Sequence, residues 1–305
     1  MKYTEKNRDI FASHKIESPG RMVFHFFNAA LLIFLGLICF FPFWYEVCIS
    51  FSSNRAVLAK EVSILPVEFT LEAYAYVLER LPFWKSLLVT VERVAIGLPI
   101  SMLLMTLAAY PLSKDKSKFR FRSFYVWFFF ITMLFNGGMI PSYLLIVQLG
   151  LLDSVWALIL PGAFNVFNML LLLSFFRNIP AGLEDAARVD GAGHLRTLLS
   201  IFLPISKPVL ATVALFTLVG SWNSWFDGMI YMKTDHYPLQ TYLRTIVYSY
   251  DFGNMSLSDQ MRLAQMSPKG IKAAQMTIGA LPILLVYPLL QKYFVSGITL
   301  GSVKE

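Results

Sequence analysis

The sequence predicts an all-α membrane protein of six transmembrane helices, and its composition and the length of its apolar runs carry that expectation. Of its 305 residues, 56% are apolar and only 15% charged, and the mean hydropathy is +0.59. Soluble domains run about 45–50% apolar and about 25% charged. A soluble domain of this size cannot bury so much apolar surface, so much of the chain is read as dissolved in lipid. A hydrocarbon core of about 30 Å takes about 20 helical residues. Six stretches meet that length and are too long for membrane strands.

The first stretch, near 22–52, follows a basic tail at 1–21 that carries Lys2, Lys6, Arg8, Lys15 and Arg21. Its apolar run is longer than a signal-peptide core and no small-x-small cleavage site follows, so it is read as a retained span. It holds the only two cysteines, Cys39 and Cys48. Nine residues apart, they fit neither a redox CxxC nor a metal site and are expected to be buried free thiols.

The second span, near 84–111, contains Glu92 and Arg93. Neighbours point about 100° apart on a helix, so each reaches a different helix or snorkels outward. A structural polar contact and a place on a translocation path are both open to them. The third span, near 121–148, contains Asn136-Gly137-Gly138-Met139-Ile140-Pro141. Two glycines and a proline weaken the helix there and predict a break or kink, which either packs or belongs to a gate.

The fourth span, near 154–176, carries Asn165 and Asn168 three apart, expected on one face for interhelical hydrogen bonding or a polar cavity. The fifth, near 205–226, ends in Trp222-Asn223-Ser224-Trp225-Phe226-Asp227. An interfacial aromatic belt explains the tryptophans, and stacked aromatics beside Asn and Asp also suit a sugar path. The sixth span lies near 274–296.

The net charge of +7 reads as orientation rather than as a nucleic-acid surface. Five Lys or Arg lie in the tail, five in 112–123 and four in 177–207, all on one side of a six-span topology. By the positive-inside rule that side is the cytoplasm, with both termini there. No repeat or separate soluble domain is evident, so residues 22–305 form one membrane domain.

An enzyme needs a constellation that this chain lacks. Its four histidines, His14, His25, His194 and His236, are scattered. There is no HExxH zinc site and no GxxxxGK[ST] phosphate loop, so uphill transport must draw on an ion gradient or a partner. An ion-coupled secondary carrier or channel is the alternative class. It calls for acidic residues deep in the spans, and the third and fourth spans have none.

The loop at 177–204 is the informative one. Leu183, Ala186, Ala187 and Asp190 follow helical spacing, and Glu184 and Arg188 form an i,i+4 pair. Gly191 stands where a left-handed cap would end the helix, and Leu195, Leu198, Leu199 and Phe202 begin a second helix before Pro204. The alanines allow close approach of another backbone, so the loop reads as shaped for a groove on another protein. A helix lying on the bilayer would instead show large anchors and several lysines.

These residues resemble the EAA motif of ABC-importer permeases. The motif reads Asp185-Ala186-Ala187, Asp190-Gly191-Ala192 and Ile201-Phe202-Leu203-Pro204 here, with Asp185 in place of the family's glutamate. The segment Asn136 to Pro141, the Gly150-Leu151-Leu152 turn, Trp222-Asn223 and the end from Gly297 to Lys304 resemble the carbohydrate-importer branch, on the maltose-importer second-permease pattern and its LplC/YtcP-like subgroup.

The resemblance implies a type I importer permease with a MalG-like fold in a bacterial plasma membrane, moving a sugar, and by its subgroup an oligosaccharide. It implies a sister permease forming a heterodimer, two cytoplasmic ATPase subunits and an extracytoplasmic sugar-binding protein. No catalytic residue, metal or cofactor belongs to this chain, because ATP and Mg would sit on the ATPase. Glu184 or Asp185 would contact that ATPase, Ala186 and Ala187 would allow the close fit, and Gly191 would make the turn. Asp190, Ala192, Leu203 and Pro204 complete the coupling set. Asn136, Asn165, Asn168, Trp222, Asn223 and Asp227 are the substrate-path candidates. A segment within 233–270 would reach the binding protein, and Gly301-Ser302-Val303-Lys304 would touch the ATPase interface.

Overall fold

A computed structural model describes residues 19–248 and 267–302. Among them all regular structure is helical. The first helix, α1 (Pro19–Ser50), is an apolar rod of 32 residues, roughly 48 Å long at 1.5 Å per residue. Its most apolar stretch has no residue buried by the rest of the chain. Two short helices follow, α2 (Asn54–Leu58), capped by Ser53 Oγ accepting from Ala56 N at 3.2 Å, and α3 (Glu72–Leu78). The long α4 (Leu81–Ser113) has Pro82 in its first turn and Lys114 as its C-cap.

Among the described residues three helices are long and apolar enough to cross a membrane singly, and three bent pairs bring the number to as many as six. The first pair is α5 (Arg122–Leu134) and α6 (Met139–Gln148), bent by 109°. Gly138 there has φ +91°, and its N–H donates to Asn136 Oδ1 at 2.9 Å. Glycine tolerates that left-handed backbone without a Cβ clash, so the expected break is a sharp corner rather than a kink in one straight helix.

The second pair is α7 (Val155–Ile159), extended by a 3-10 turn to Gly162, and α8 (Val166–Arg177), bent by 47°. Asn165 is the N-cap of α8, its Oδ1 accepting from Asn168 N at 3.0 Å. After α9 (Ala181–Val189) comes the third pair, α10 (His194–Ile205), with a π turn over Leu198–Phe202, and α11 (Lys207–Asn223). They meet at 84°, where Pro204 and Pro208 flank Ser206 and Pro208 brings no N–H. Then come α12 (Phe226–Tyr231), α13 (Leu239–Tyr248) and α14 (Pro268–Ser302).

Three apolar clusters hold the bundle. Met105 and Ala109 of α4 pack with Met169, Leu172 and Phe176 of α8 and with Phe202 of α10. At the other end Phe83, Trp222, Leu239, Tyr242 and Ile271 join α4, α11, α13 and α14. Cys48, Ile49, Ala56 and Ala273 fasten α1 and α2 to α14. Both cysteines are free as expected, but only Cys48 is buried; Cys39 is exposed on the bare side of α1.

Candidate functional site

The loop that carries the motif is two short helices, α9 and α10, joined by a tight turn. Gly191 has φ +78°, and the turn closes with Gly191 N donating to Arg188 O at 3.0 Å and Ala192 N to Ala187 O at 2.8 Å. That pair of bonds is a Schellman cap, whose C′ residue needs the left-handed backbone. Gly191 therefore occupies the role its position predicted.

The two carboxylates at the start of α9 face different ways. Glu184 is 7% exposed, and its carboxylate meets Lys114 Nζ at 2.8 Å, Arg188 Nη2 at 3.0 Å and Lys118 Nζ at 3.6 Å. The Lys114 ammonium sits over the rings of Tyr110 at 3.9 Å and Phe202 at 4.1 Å, which holds it by cation–π attraction. Burial draws Lys114 below the ordinary lysine value against the pull of its Glu184 bond. Burial also pushes the Glu184 carboxyl up, but the Lys114 bond and three nearby cations outweigh it and hold the group below the ordinary glutamate value. Asp185 is exposed, and among the described residues its carboxylate pairs with Lys118 alone, at 3.3 Å. Of the two acids the sequence left as alternatives, Glu184 is thus committed inside the chain and Asp185 faces out.

Ala187 lies on the inner side of α9 with Glu184, while Ala186 and Asp190 are exposed. The exposed side adds Leu183 and Val189, the latter 88% exposed. Val189 was missed from the sequence, although its spacing of three from Ala186 puts it beside that residue on the exposed side. Lys114 was missed because its partner lies 70 residues away. Ala192 is half-buried, Leu203 packs against the α4–α8 cluster and Pro204 is exposed before the 84° corner. Residues 303–305 and 249–266, which hold part of the expected terminal and loop contacts, lie outside the described residues.

The substrate-path candidates do not all meet. Asn165, Asn168 and Asp227 line one cavity of about 280 Å³ with Arg93, Ser221 and Ser224. Arg93 forms an ion pair with Asp227 across 134 residues. Asp227 Oδ1 also accepts from Ser224 Oγ at 2.7 Å and from Gly228 N at 2.9 Å. Asn168 Nδ2 donates to Thr217 Oγ1 at 3.3 Å. Glu92 faces out, as the 100° offset requires, and Arg93 faces in.

Trp222 is a core residue whose Nε1 donates to Gly279 O at 3.0 Å. Asn136 is spent on the α5–α6 corner, and Asn223 lines a different cavity. Asn165 and Asn168 line the same cavity, as a cap and a helical residue rather than two positions on one helical face, and Asn168 also bonds Thr217 of a neighbouring helix, so neither of the two open readings displaces the other.

The chain resembles known proteins over most of its length. Residues 84–300 match the profile of a family described as binding-protein-dependent transport system inner membrane component. The polygalacturonan/rhamnogalacturonan transport system permease protein YtcP of Bacillus subtilis (strain 168) is 40% identical over 274 residues, covering 90% of this chain and 95% of its own. Protein LplC of the same organism is 40% identical over 297 residues, covering 97% and 99%. Among solved structures, a chain of a bacterial ABC transporter involved in the import of the acidic polysaccharide alginate has a TM-score of 0.81 at 34% identity, covering 91% of this chain and 98% of that one.

Proposed function

The chain belongs to the family of binding-protein-dependent transport system inner membrane components, and on that premise we propose that it is one of two permease subunits of an ATP-driven oligosaccharide importer. Each bent helix pair counts as one span, which makes six, with both termini in the cytoplasm of a bacterial cell. A sister permease completes the path and an extracytoplasmic binding protein delivers the sugar. Two cytoplasmic ATPase subunits bind ATP with Mg and drive the cycle. The relatives' names support a carbohydrate cargo, since YtcP is named for polygalacturonan and rhamnogalacturonan and the structural neighbour for alginate.

The observation that carries the reading is the two-sided character of α9. Its inner side is fixed to the end of α4 through Glu184 and Lys114, while Leu183, Ala186 and Val189 are left as an exposed, low-profile apolar stripe. A groove on an ATPase is the partner that stripe fits. A push on α9 then passes into α4, which also carries Arg93 on the wall of the 280 Å³ cavity. Alternating access follows: ATPase closure moves α9, α4 moves with it, and the cavity shared with the sister permease changes the side to which it opens. Asn165, Asn168, Ser221 and Ser224 offer hydroxyl-matching groups to a passing sugar there.

The test is uptake of labelled oligosaccharide by proteoliposomes holding this chain, its sister permease and the ATPase, with binding protein outside and ATP inside. Val189→Glu, at a position 88% exposed, should abolish ATPase co-purification and uptake while the permease pair still assembles. Full uptake by Val189→Glu would remove α9 as the docking element.

A further inference from the structure

A second and larger cavity, of about 540 Å³, lies between α1, α11, α13 and α14, within the roughly 300–1,000 Å³ of small-ligand sites. The short stretch Asn223–Trp225 walls both cavities: Asn223 and Trp225 line the larger and Ser224 the smaller. Their electrostatics differ. In the smaller, Arg93 is balanced by Asp227. Among the described residues the larger is lined by Arg244 and Lys272 and by no carboxylate, and neither cation has an ion pair with another of them.

The cations are set in a carbohydrate-like surround. The Arg244 guanidinium lies 3.7 Å over the Trp225 ring. Stacking of that kind fixes the guanidinium plane and leaves its in-plane N–H groups free for a carboxylate. Asn223, Gln240 and Gln275 add side-chain amides. Gln275 is 3% exposed and its Oε1 has no hydrogen-bond partner among the described residues. An acceptor without a partner calls for a donor, which a sugar hydroxyl supplies.

Resting on the sugar-import reading, we infer that this cavity is a subsite for acidic sugars, in which Arg244 and Lys272 take the carboxylate of a uronic-acid residue and the amides take its hydroxyls. The cavity then sets cargo class before the sugar reaches the neutral chamber behind Asn223–Trp225.

The test is equilibrium dialysis of tetragalacturonate and of its carboxyl-reduced neutral form against the detergent-purified importer complex, without binding protein. The wild-type complex should prefer the acidic tetramer. Arg244→Gln with Lys272→Gln should weaken it by about tenfold or more, the size expected for losing charged hydrogen bonds, and leave the neutral form unchanged. Both side chains are exposed, so folding should survive; should the double variant not assemble, Arg244→Gln alone is read. Equal binding of the two tetramers by the wild type, or an unaltered preference in the variant, would overturn the inference. Anionic lipid that co-purifies with the wild type and is lost from the variant, with sugar binding unaltered, would assign the cavity to lipid instead. ATP-driven uptake that persists without the preference leaves the import reading standing; absence of binding-protein-dependent uptake of any sugar removes that reading itself.

Discussion

Lys114 Nζ lies 2.8 Å from Glu184 Oε2, which ties the C-terminal end of α4 to the inner side of α9. Both side chains are more than nine-tenths buried. Removing one member of such a pair strands the other. Lys114→Met should therefore destabilise the chain by about 1–3 kcal/mol, moderated because Lys118 and Arg188 remain beside Glu184. Lys114→Met with Glu184→Gln should cost less than the sum of the single changes. Thermal unfolding of the detergent-solubilised complex, read as a double-mutant cycle, checks this, and strict additivity would deny the coupling.

The same junction sets a pH dependence. Glu184 is held below the ordinary glutamate value, so the folded state binds its proton less readily than the unfolded chain does. Its contribution is complete above about pH 4.3, the unfolded value, and is lost as pH falls through the lower folded value. The hydrogen-exchange rate in Ala181–Val189, taken relative to the intrinsic amide rate at each pH, should be flat from neutral pH to about pH 5 and rise only in stronger acid. Glu184→Gln should erase that acid limb. A rise centred near neutral pH would point to a different group.

Much of this junction could be read along the chain, because its signals are local. Glu184 and Arg188 are one helical turn apart, Gly191 follows the last turn, and Gly137-Gly138 with Pro141 mark a break. What escaped depends on residues far apart in sequence. Nothing near Glu184 announces Lys114, and nothing near Arg93 announces Asp227 across 134 residues. Trp222 sat in a polar-aromatic run that suited a sugar path, but the carbonyl of Gly279 turns its indole into core. Asn165 and Asn168 looked like one helical face, although Pro161-Gly162, a turn signature, stands at the 47° bend just before α8.

The turn after α9 offers a test of backbone rather than contact. Gly191 has φ +78°, and nothing lies within 4 Å of the place a Cβ would take. A side chain there meets no neighbour and costs only its left-handed backbone, about 1–2 kcal/mol. Gly191→Leu should loosen the cap and reduce ATP-driven uptake with membrane insertion unchanged. Gly191→Asn should recover much of the loss, since Asn tolerates that backbone. Equal defects in the two variants would mean that the space around Gly191, filled by a partner, is what matters.

Gly228 and Gly279 separate rigid from yielding close approaches. A Cβ on Gly228 would come within 2.7 Å of Pro238 Cδ, part of a fixed ring, in the turn that also presents Asp227. A Cβ on Gly279 would meet Leu243 Cδ1 at 2.9 Å, the end of a flexible side chain. Overpacking costs about 1–3 kcal/mol when neighbours cannot move, so Gly228→Ala should fall in that range and shift the Arg93–Asp227 pair on the cavity wall. Gly279→Ala should cost less, because Leu243 can change rotamer. Melting temperatures of the two variants, with sugar uptake measured alongside, decide the matter: Gly228→Ala should lose both stability and transport, and a larger loss at Gly279 would contradict the assignment of Pro238 as the unyielding neighbour.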